Sequence, residues 1–159
     1  MTSLLASTVL LTAPAAAQAA QVPSGRTIHN APAAPSVTGR ITGVGGWCVD
    51  VAGANTANGT PIQQYRCNGT AAQQWTVGTD GTLRALGKCM DVYGGGTRPN
   101  TAVQLYDCNG TGAQHWAVRA GNMLMNPQSG LCLSSNGYGI QLYIWRCIPT
   151  PGGIWHLPA

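Results

Sequence analysis

The amino-acid sequence predicts an all-β fold in which three repeats close around a pseudo-threefold axis. Three observations support this prediction: the composition, an internal repeat of about 40 residues, and short segments of alternating polarity. Only 8% of the 159 residues are charged and 22 are glycine. This composition is typical of short strands joined by many turns. The length allows one domain with a short additional segment.

Two copies of the repeat are nearly intact and lie 41 residues apart. Each copy carries Cys-x-Asp-Val, then Cys-Asn-Gly-Thr, then Gln-x-Trp. These markers begin at Cys48, Cys67 and Gln73 in the first copy and at Cys89, Cys108 and Gln114 in the second. A third copy, which has lost several of these markers, keeps Cys132, Cys147 and Trp155. In every copy the second cysteine precedes the tryptophan by eight residues, which aligns the third copy with the others.

Short strands of about five residues are predicted within each copy, because apolar and polar residues alternate in segments such as 101–106 between turns rich in Gly and Asn. A single copy cannot bury its apolar face, so the three must pack together. We expect a closed threefold arrangement with Trp75, Trp116 and Trp155 as core anchors. The alternative is an open solenoid or a three-bladed propeller, which would leave strand edges exposed.

The six cysteines are typical of a small exported domain. They allow 15 pairings in principle. Equivalent repeats should close equivalent loops, which predicts Cys48–Cys67, Cys89–Cys108 and Cys132–Cys147. Each disulfide could contribute roughly 3 kcal/mol to stability. The chain has no Cys-x-x-Cys pair and its three histidines do not cluster near cysteines, so we expect no metal site and no cofactor.

The N-terminal region predicts export. Residues 1–20 are apolar and rich in Ala and end in small residues, as in a secretory signal peptide. A membrane anchor is the alternative, but polar residues and Pro interrupt the segment before it reaches the roughly 20 residues that a span needs. Residues 21–38 are rich in Pro, Ala and Ser and predict a flexible linker before a domain at 39–159. We therefore expect a secreted, extracellular monomer without a membrane span.

The basic residues do not indicate a nucleic-acid partner. The eight Lys and Arg side chains, which give a formal net charge of +4, are scattered singly along the chain. Binding to a phosphate backbone needs a basic stripe or patch. We expect no nucleic-acid binding.

Tandem copies of Cys-x-Asp-Val, Gln-x-Tyr-x-Cys-Asn-Gly and Gln-x-Trp closely resemble the ricin-B-type (R-type) lectin family. The resemblance covers about residues 39–159. It implies a β-trefoil with up to one sugar site in each repeat, named α, β and γ in chain order. It also implies a non-catalytic module whose partners are glycans, either galactose- or xylose-type sugars or polysaccharides.

Physical chemistry explains why these residue types suit a sugar. A pyranose has neighbouring hydroxyls that complement a carboxylate and an amide, and an apolar C–H face that packs on an aromatic ring. In the α repeat the resemblance makes Asp50 the hydroxyl acceptor and Tyr65 the stacking ring, with Gln63 beside the sugar, Asn68 as a polar neighbour and Gln73 orienting Asp50. The β repeat supplies the matching set of Asp91, Gln104, Tyr106, Asn109 and Gln114.

These residues also have structural alternatives. Each Asp could bind backbone amides in a turn, each second Gln could bond only to backbone, and each Tyr could be an ordinary strand aromatic. Ala72 and Ala113 stand where plant lectins of the family often carry Asn. This departure leaves the preferred sugar open.

The third repeat is predicted to be structural, without a normal sugar site. Ser134 replaces the Asp, Gly153 replaces the orienting Gln, and Tyr143 replaces the amide beside the sugar. Trp145 still aligns with the stacking tyrosines. The loop between its cysteines is also four residues shorter.

Catalysis is not expected. Glycoside hydrolases mostly need two carboxyl groups roughly 5–9.5 Å apart. The chain has no Glu, and its four acids are Asp50, Asp80, Asp91 and Asp107. Asp50 and Asp91 occupy equivalent positions in different repeats, and Asp107 has no acidic counterpart. The remaining alternative is a β-trefoil scaffold, protein-interaction or inhibitor module that binds no sugar. The duplicated polar set disfavours it.

Overall fold

The computed structural model describes residues 36–159. The predicted signal peptide and residues 21–35 of the predicted linker lie outside the described residues. Val37, Thr38 and Gly39 pair with residues 75–77 in a sheet. The folded domain therefore extends two residues before the predicted boundary at residue 39, because this segment is a paired strand.

The described part of the chain consists of eleven short strands and six 3₁₀ turns. None of its helical segments is long and apolar enough to cross a membrane. The strands are, in the first repeat, β1 (Val37–Gly39), β2 (Cys48–Val51), β3 (Thr60–Tyr65) and β4 (Trp75–Val77); in the second, β5 (Leu83–Ala85), β6 (Lys88–Val92), β7 (Val103–Tyr106) and β8 (Ala117–Arg119); and in the third, β9 (Met123–Asn126), β10 (Leu131–Ser134) and β11 (Tyr143–Trp145).

The strands form two antiparallel sheets with the same hairpin at the centre of each repeat. One sheet has the order β1-β4-β5-β6-β7-β3-β2 and the other β11-β10-β9-β8. The three central hairpins are β2/β3, β6/β7 and β10/β11, and their strand register is identical. The pairs that face each other are Cys48–Tyr65 and Asp50–Gln63, Cys89–Tyr106 and Asp91–Gln104, and Cys132–Trp145 and Ser134–Tyr143.

The repeats close into a ring through three equivalent buried residues, Ile62, Val103 and Leu142. The amide of Val103 donates to the carbonyl of Leu142 at 2.8 Å, and the amide of Leu142 donates to that of Ile62 at 2.7 Å. Strand β3 pairs with β7, which joins the first repeat to the second. The closed threefold arrangement is confirmed, and an open solenoid is excluded.

The predicted tryptophan anchors lie in one continuous core. Trp75, Trp116 and Trp155 are at most 6% exposed. Each indole Nε1 donates to the backbone carbonyl of an equivalent strand residue, and these bonds are Trp75 to Val49 at 2.9 Å, Trp116 to Met90 at 3.1 Å and Trp155 to Leu133 at 2.9 Å. Burial of an indole is favourable only when its N–H is satisfied, and all three meet that condition.

The three predicted disulfides are present. They join Cys48 to Cys67, Cys89 to Cys108 and Cys132 to Cys147. Each links the first strand of a central hairpin to the residues just after the second strand. Because all three lie within a repeat, each restricts the unfolded chain locally without tying one repeat to another.

One polar pair interrupts the apolar core. Gln64 is fully buried where the other repeats have Leu105 and Ile144. Its Oε1 accepts a hydrogen bond of 2.6 Å from the Ser135 hydroxyl, which in turn accepts from the Gly137 amide. The Nε2 of Gln64 has no hydrogen-bond partner among the described residues. The core therefore tolerates one unpaired amide nitrogen at this position.

We predict that Ser135→Ala lowers the free energy of unfolding by about 1–3 kcal/mol, because it leaves the buried Oε1 of Gln64 unpaired. Adding Gln64→Leu removes the unpaired side-chain amide. It also places an apolar residue at this position, as in the other two repeats. The double variant should therefore lose less stability than Ser135→Ala alone. Urea unfolding followed by tryptophan fluorescence, with the disulfides oxidised, measures both. Additive losses in the double variant would contradict the predicted coupling.

Candidate functional site

The α cleft is built around Asp50, the third residue of β2. The cross-strand register places Gln63 directly opposite, and its Nε2 donates to Asp50 Oδ2 at 3.0 Å. The Nε2 of Gln73 donates to Oδ1 at 3.0 Å. Asp50 is only 4% exposed, yet it lines the cleft. A carboxylate has about four acceptor positions, so two remain available for hydroxyl donors in the cleft.

Gln73 is held rigidly on a 3₁₀ turn that covers residues 71–73. Besides Asp50, its Nε2 donates to the carbonyl of Arg66 at 2.9 Å. Its Oε1 accepts from the backbone amide of Asn68 at 2.9 Å. The side chain is 1% exposed. Gln73 therefore bonds both to the backbone and to the Asp50 carboxylate.

The β cleft repeats this geometry around Asp91, the fourth residue of β6. Gln104 donates to Asp91 Oδ1 at 2.9 Å, and Gln114 donates to Oδ2 at 3.0 Å. Gln114 also donates to the carbonyl of Asp107 and accepts from the amide of Asn109, both at 2.8 Å. The partners of both aspartates are glutamine side chains. In the described structure neither Asp50 nor Asp91 accepts a side-chain hydrogen bond from a backbone amide, as the alternative of a turn residue would require.

Asn68 and Asn109 form the same local turn in both repeats. The Oδ1 of Asn68 accepts from the amide and the hydroxyl of Thr70 at 3.1 and 2.8 Å. Asn109 makes the equivalent bonds to Thr111 at 3.0 and 2.8 Å. Both asparagines line their clefts. Because Oδ1 of each asparagine already accepts two hydrogen bonds, its side-chain nitrogen is the group that can donate to a ligand in the cleft.

The two clefts differ in size and in their walls. The α cleft has a volume of about 390 Å³ and the β cleft of about 710 Å³. Tyr65 and Tyr106 line them, and each is 37% exposed. Gly53 lies in the turn after β2, where the second repeat has Gly94. The structure thus brings all ten predicted site residues into two equivalent clusters, five in each.

Tyr93 is a cleft residue that was not predicted. It lies in the 3₁₀ turn after β6, lines the β cleft and is 64% exposed. The equivalent residue in the first repeat is Ala52. The signal available in the sequence was an aromatic side chain directly after Cys-x-Asp-Val in only one copy. The resemblance places the stacking rings at Tyr65 and Tyr106, on strands, and does not extend to this turn residue.

A second unpredicted feature of the β cleft comes from the first repeat. Asn58 lines this cleft and donates to Asp107 Oδ2 at 2.7 Å. Lys88 donates to Asp107 Oδ1 at 2.7 Å and to Asn58 Oδ1 at 2.6 Å. The bond from Lys88, followed by that from Asn58, lowers the pKa of the Asp107 carboxyl below its ordinary value. Asp107 therefore stays ionised at neutral pH and holds Asn58 at the wall of the cleft.

The third repeat lacks the equivalent cluster. The hydroxyl of Ser134, opposite Tyr143, donates to the backbone carbonyl of Cys132 at 3.3 Å. Gly153 occupies the position in the 3₁₀ turn where the other repeats have glutamine. It has no side chain that could bond to Ser134. Trp145 packs edge-on against Tyr143 with ring centroids 6.4 Å apart. No amide-held carboxylate exists in this repeat.

Metal binding finds no support in residues 36–159. Within this range no group of three or more His, Cys, Asp or Glu side chains could hold a metal ion. All six cysteines are in disulfides.

Comparison with known proteins identifies relatives of this arrangement. A sequence model of the ricin-type beta-trefoil lectin domain matches residues 37–151. Over 104 residues, 65% of the chain, the sequence is 62% identical to a glucan endo-1,3-beta-glucosidase of Cellulosimicrobium cellulans. The match spans only 19% of the length of that relative.

Solved structures agree with the sequence match. The agglutinin from Abrus precatorius aligns with a TM-score of 0.72 and 33% identity, covering 77% of this chain and 48% of the other. A non-toxic homologue of type II RIPs from Momordica charantia, in complex with alpha-methyl-D-galactoside, aligns with a TM-score of 0.71 and 31% identity over the same shares. The three repeats described above therefore have the architecture of a β-trefoil.

We predict that Gln73→Leu lowers the free energy of unfolding by about 1–3 kcal/mol, because it leaves the Asn68 amide and one Asp50 oxygen without their partner. Gln74→Leu is the matched control, since Gln74 is the exposed neighbour on the same turn. It should change stability by less than about 0.5 kcal/mol. Thermal and urea unfolding of the two variants provide the comparison. Equal stability would mean that the glutamine cluster does not support the fold.

Proposed function

The chain belongs to the ricin-type β-trefoil lectin domain family, and from this we propose that it binds carbohydrate, without catalysis, through the α and β clefts. The observation that carries the proposal is the duplicated cluster of a carboxylate held by two glutamines beside an exposed tyrosine. Asp50 and Asp91 each keep free acceptor positions at a cleft surface. A scaffold would need repeated core residues but not this repeated polar set.

The proposed ligand contacts follow from the geometry of each cluster. Sugar hydroxyls donate to Asp50 or Asp91, while Asn68 or Asn109 offers an amide donor and Tyr65 or Tyr106 packs against the C–H face. Gln63 and Gln104 bond to the carboxylates and border the sugar. Such a shallow site should hold a single sugar at about millimolar affinity. Tight binding would come from two clefts engaging one polymer.

The ligand class is proposed as galactose- or xylose-type sugars or polysaccharides. The Momordica relative was solved with a methyl galactoside, whereas the Cellulosimicrobium relative is a glucan endo-1,3-beta-glucosidase. Ala72 and Ala113, both buried, place no amide where plant lectins of the family often have Asn. We therefore favour a polysaccharide over a plant-type galactoside, with β-1,3-glucan and xylan as the first ligands to test.

The proposal of a non-catalytic module rests on where the carboxylates lie. Asp50 and Asp91 line different clefts. Asp107 is bonded to Lys88 and Asn58, and Asp80 is bonded to Thr82 and Arg84. Paired acid–base chemistry at one glycosidic bond needs two carboxyl groups flanking it. Release of sugar from polysaccharide at more than one product per chain would contradict this proposal.

An extracellular location is also part of the proposal. Three disulfides favour an oxidising compartment. The predicted signal peptide fits the same location, and we propose that the module acts outside the cell as a monomer. Detection of the mature domain in the culture medium, with cleavage after about residue 20 determined by mass spectrometry, tests this point.

We predict that Asp50→Ala and Asp91→Ala each remove about one of two binding sites. Loss of one partner of a charged hydrogen bond costs about 1.5–3 kcal/mol, which takes a millimolar site beyond detection. Titration calorimetry with the best ligand from a glycan array measures stoichiometry. Asp80→Ala, which removes an exposed carboxylate outside both clefts, should bind like the parent protein.

The double variant Asp50→Ala with Asp91→Ala should keep its fold and bind no sugar. If it still binds, and Trp145→Ala then abolishes binding, the third repeat is a working site. If the parent protein gives no signal with any glycan at millimolar concentration, the scaffold or inhibitor function replaces the lectin function.

We predict that Tyr93→Ala weakens only the β cleft, by about three- to tenfold, because it removes an exposed ring from one wall. The measurement uses the Asp50→Ala protein, in which the β cleft is the remaining site. The same substitution in the Asp91→Ala protein is the control and should leave affinity unchanged. Equal losses in both backgrounds would show that Tyr93 acts through the fold.

A further inference from the structure

The ring of Tyr65 in the α cleft adjoins two further aromatic rings that the glycan contacts proposed above do not use. The ring of Tyr138, from the third repeat, stacks on Tyr65 with centroids 5.1 Å apart and an interplanar angle of 24°. The ring centroid of the Trp47 indole lies 5.0 Å from that of Tyr138, with an interplanar angle of 55°. Tyr138 is 45% exposed, and Trp47 is half-buried. We call these three residues the aromatic platform.

Tyr138 extends the cleft without filling it. Tyr65 lines the α cleft, whereas Tyr138 is not among the lining residues. Tyr138 therefore contacts Tyr65 from outside the set of residues that line the cleft. The exposed aromatic surface runs from the cleft wall onto a neighbouring repeat.

The backbone holds Tyr138 firmly at this place. Residue 138 pairs with Gln64 of β3. The amide of Gly139 donates to the carbonyl of Gln64 at 2.7 Å, and the amide of Gln64 donates to that of Ile140 at 3.4 Å. Tyr138 lies in the loop between Cys132 and Cys147, which is four residues shorter than the equivalent loops of the other repeats. Its pairing with the first repeat orders Tyr138 before any ligand arrives, which lowers the entropic cost of binding.

Trp47 is positioned by a glycine turn. Gly45 has φ of +69°, and a Cβ placed on it would lie 2.7 Å from the indole Nε1 of Trp47. Only a residue without a side chain lets the indole fold back over this turn. The backbone pairing at Tyr138 and the glycine turn before Trp47 thus limit where these two rings can lie.

Pseudo-symmetry gives an internal comparison. Tyr138 precedes Gly139 as Asn58 precedes Gly59, and Asn58 occupies the matching place beside the β cleft. There it presents an amide bonded to Lys88. The position before the turn glycine therefore borders the next repeat's cleft in both cases. It is polar at the β cleft and aromatic at the α cleft.

We propose that Trp47 and Tyr138 form a second saccharide subsite that continues the α cleft, so that this cleft binds adjacent units of one polysaccharide chain. The inference rests on the proposed carbohydrate binding. Aromatic rings pack against the C–H faces of sugars, and the platform shares Tyr65 with the cleft, so a chain leaving the cleft would pass over it. In this arrangement the third repeat serves the α cleft although it has no carboxylate cluster of its own.

The test uses the full chain carrying Asp91→Ala, so that the α cleft is measured alone. Titrations compare sugars of one to four units from three series: β-1,3-linked glucose, β-1,4-linked xylose and β-1,4-linked galactose. In the series that binds, affinity should rise with length. Tyr138→Ala and Trp47→Ala should each reduce tetrasaccharide affinity about tenfold while changing monosaccharide affinity less than about twofold.

Two further variants act as controls. Tyr138→Phe keeps the ring and should retain the gain with length. Val118→Ala removes an exposed apolar side chain on β8 and should behave like the parent. Quenching of the partly exposed Trp47 by the tetrasaccharide, but not by the monosaccharide, provides an independent signal.

Three results would overturn the subsite. Affinity that does not rise with length excludes it directly. Equal losses for monosaccharide and tetrasaccharide in Tyr138→Ala would mean that Tyr138 only supports Tyr65. If no series binds the Asp91→Ala protein but one binds the parent protein, the α cleft is not a sugar site. Absence of binding in the parent protein is the separate failure of the proposed function, and the subsite falls with it.

Discussion

The hydrogen bond from a buried indole to a strand carbonyl positions both the core and the clefts. Trp75 donates to the carbonyl of Val49, the residue that precedes Asp50. Gln73 lies two residues before Trp75, so the bond that buries the indole also brings the glutamine amide to the carboxylate. The second repeat uses the same bond for the same purpose. Apolar burial therefore provides the rigidity that a shallow polar site needs, because little ordering remains for the ligand to impose.

The features within one repeat and the closed threefold arrangement could be predicted from the sequence, whereas the side chains that one repeat contributes to the cleft of another could not. The disulfides, the buried tryptophans and the grouping of Asp50 with Gln63 and Gln73 follow from repeated spacing, since identical spacing requires identical strand register. Asn58 and Tyr138 border clefts of neighbouring repeats, so their roles depend on how the ring closes. No periodic pattern in the sequence reports that geometry. Strand β1 was missed because three residues are too few to show alternation.

The two intact repeats have diverged at their walls while keeping the same carboxylate cluster. The β cleft has the larger volume and is lined by Tyr93 and by Asn58, which bonds to Asp107. The α cleft has the smaller volume and is lined by Tyr65, on which Tyr138 stacks. The residues at the centre of the two clefts are the same, and those at the rim differ. A ligand therefore meets different neighbouring groups in each cleft, while the hydrogen bonds that hold the fold are the same. The two clefts of this chain are therefore related but unequal.

The first and last parts of the described domain are joined to each other. The amide of Thr42 donates to the carbonyl of His156 at 3.0 Å, and the amide of His156 donates back at 2.8 Å. Because this bridge is antiparallel, the first and last segments of the described domain run side by side in opposite directions, and a Cβ on Gly39 would lie 2.8 Å from Pro158. Domains whose ends lie together tolerate insertion and circular permutation. A trefoil of this kind can therefore be inserted into a larger polypeptide, because the segments before and after it would lie on the same side of the domain.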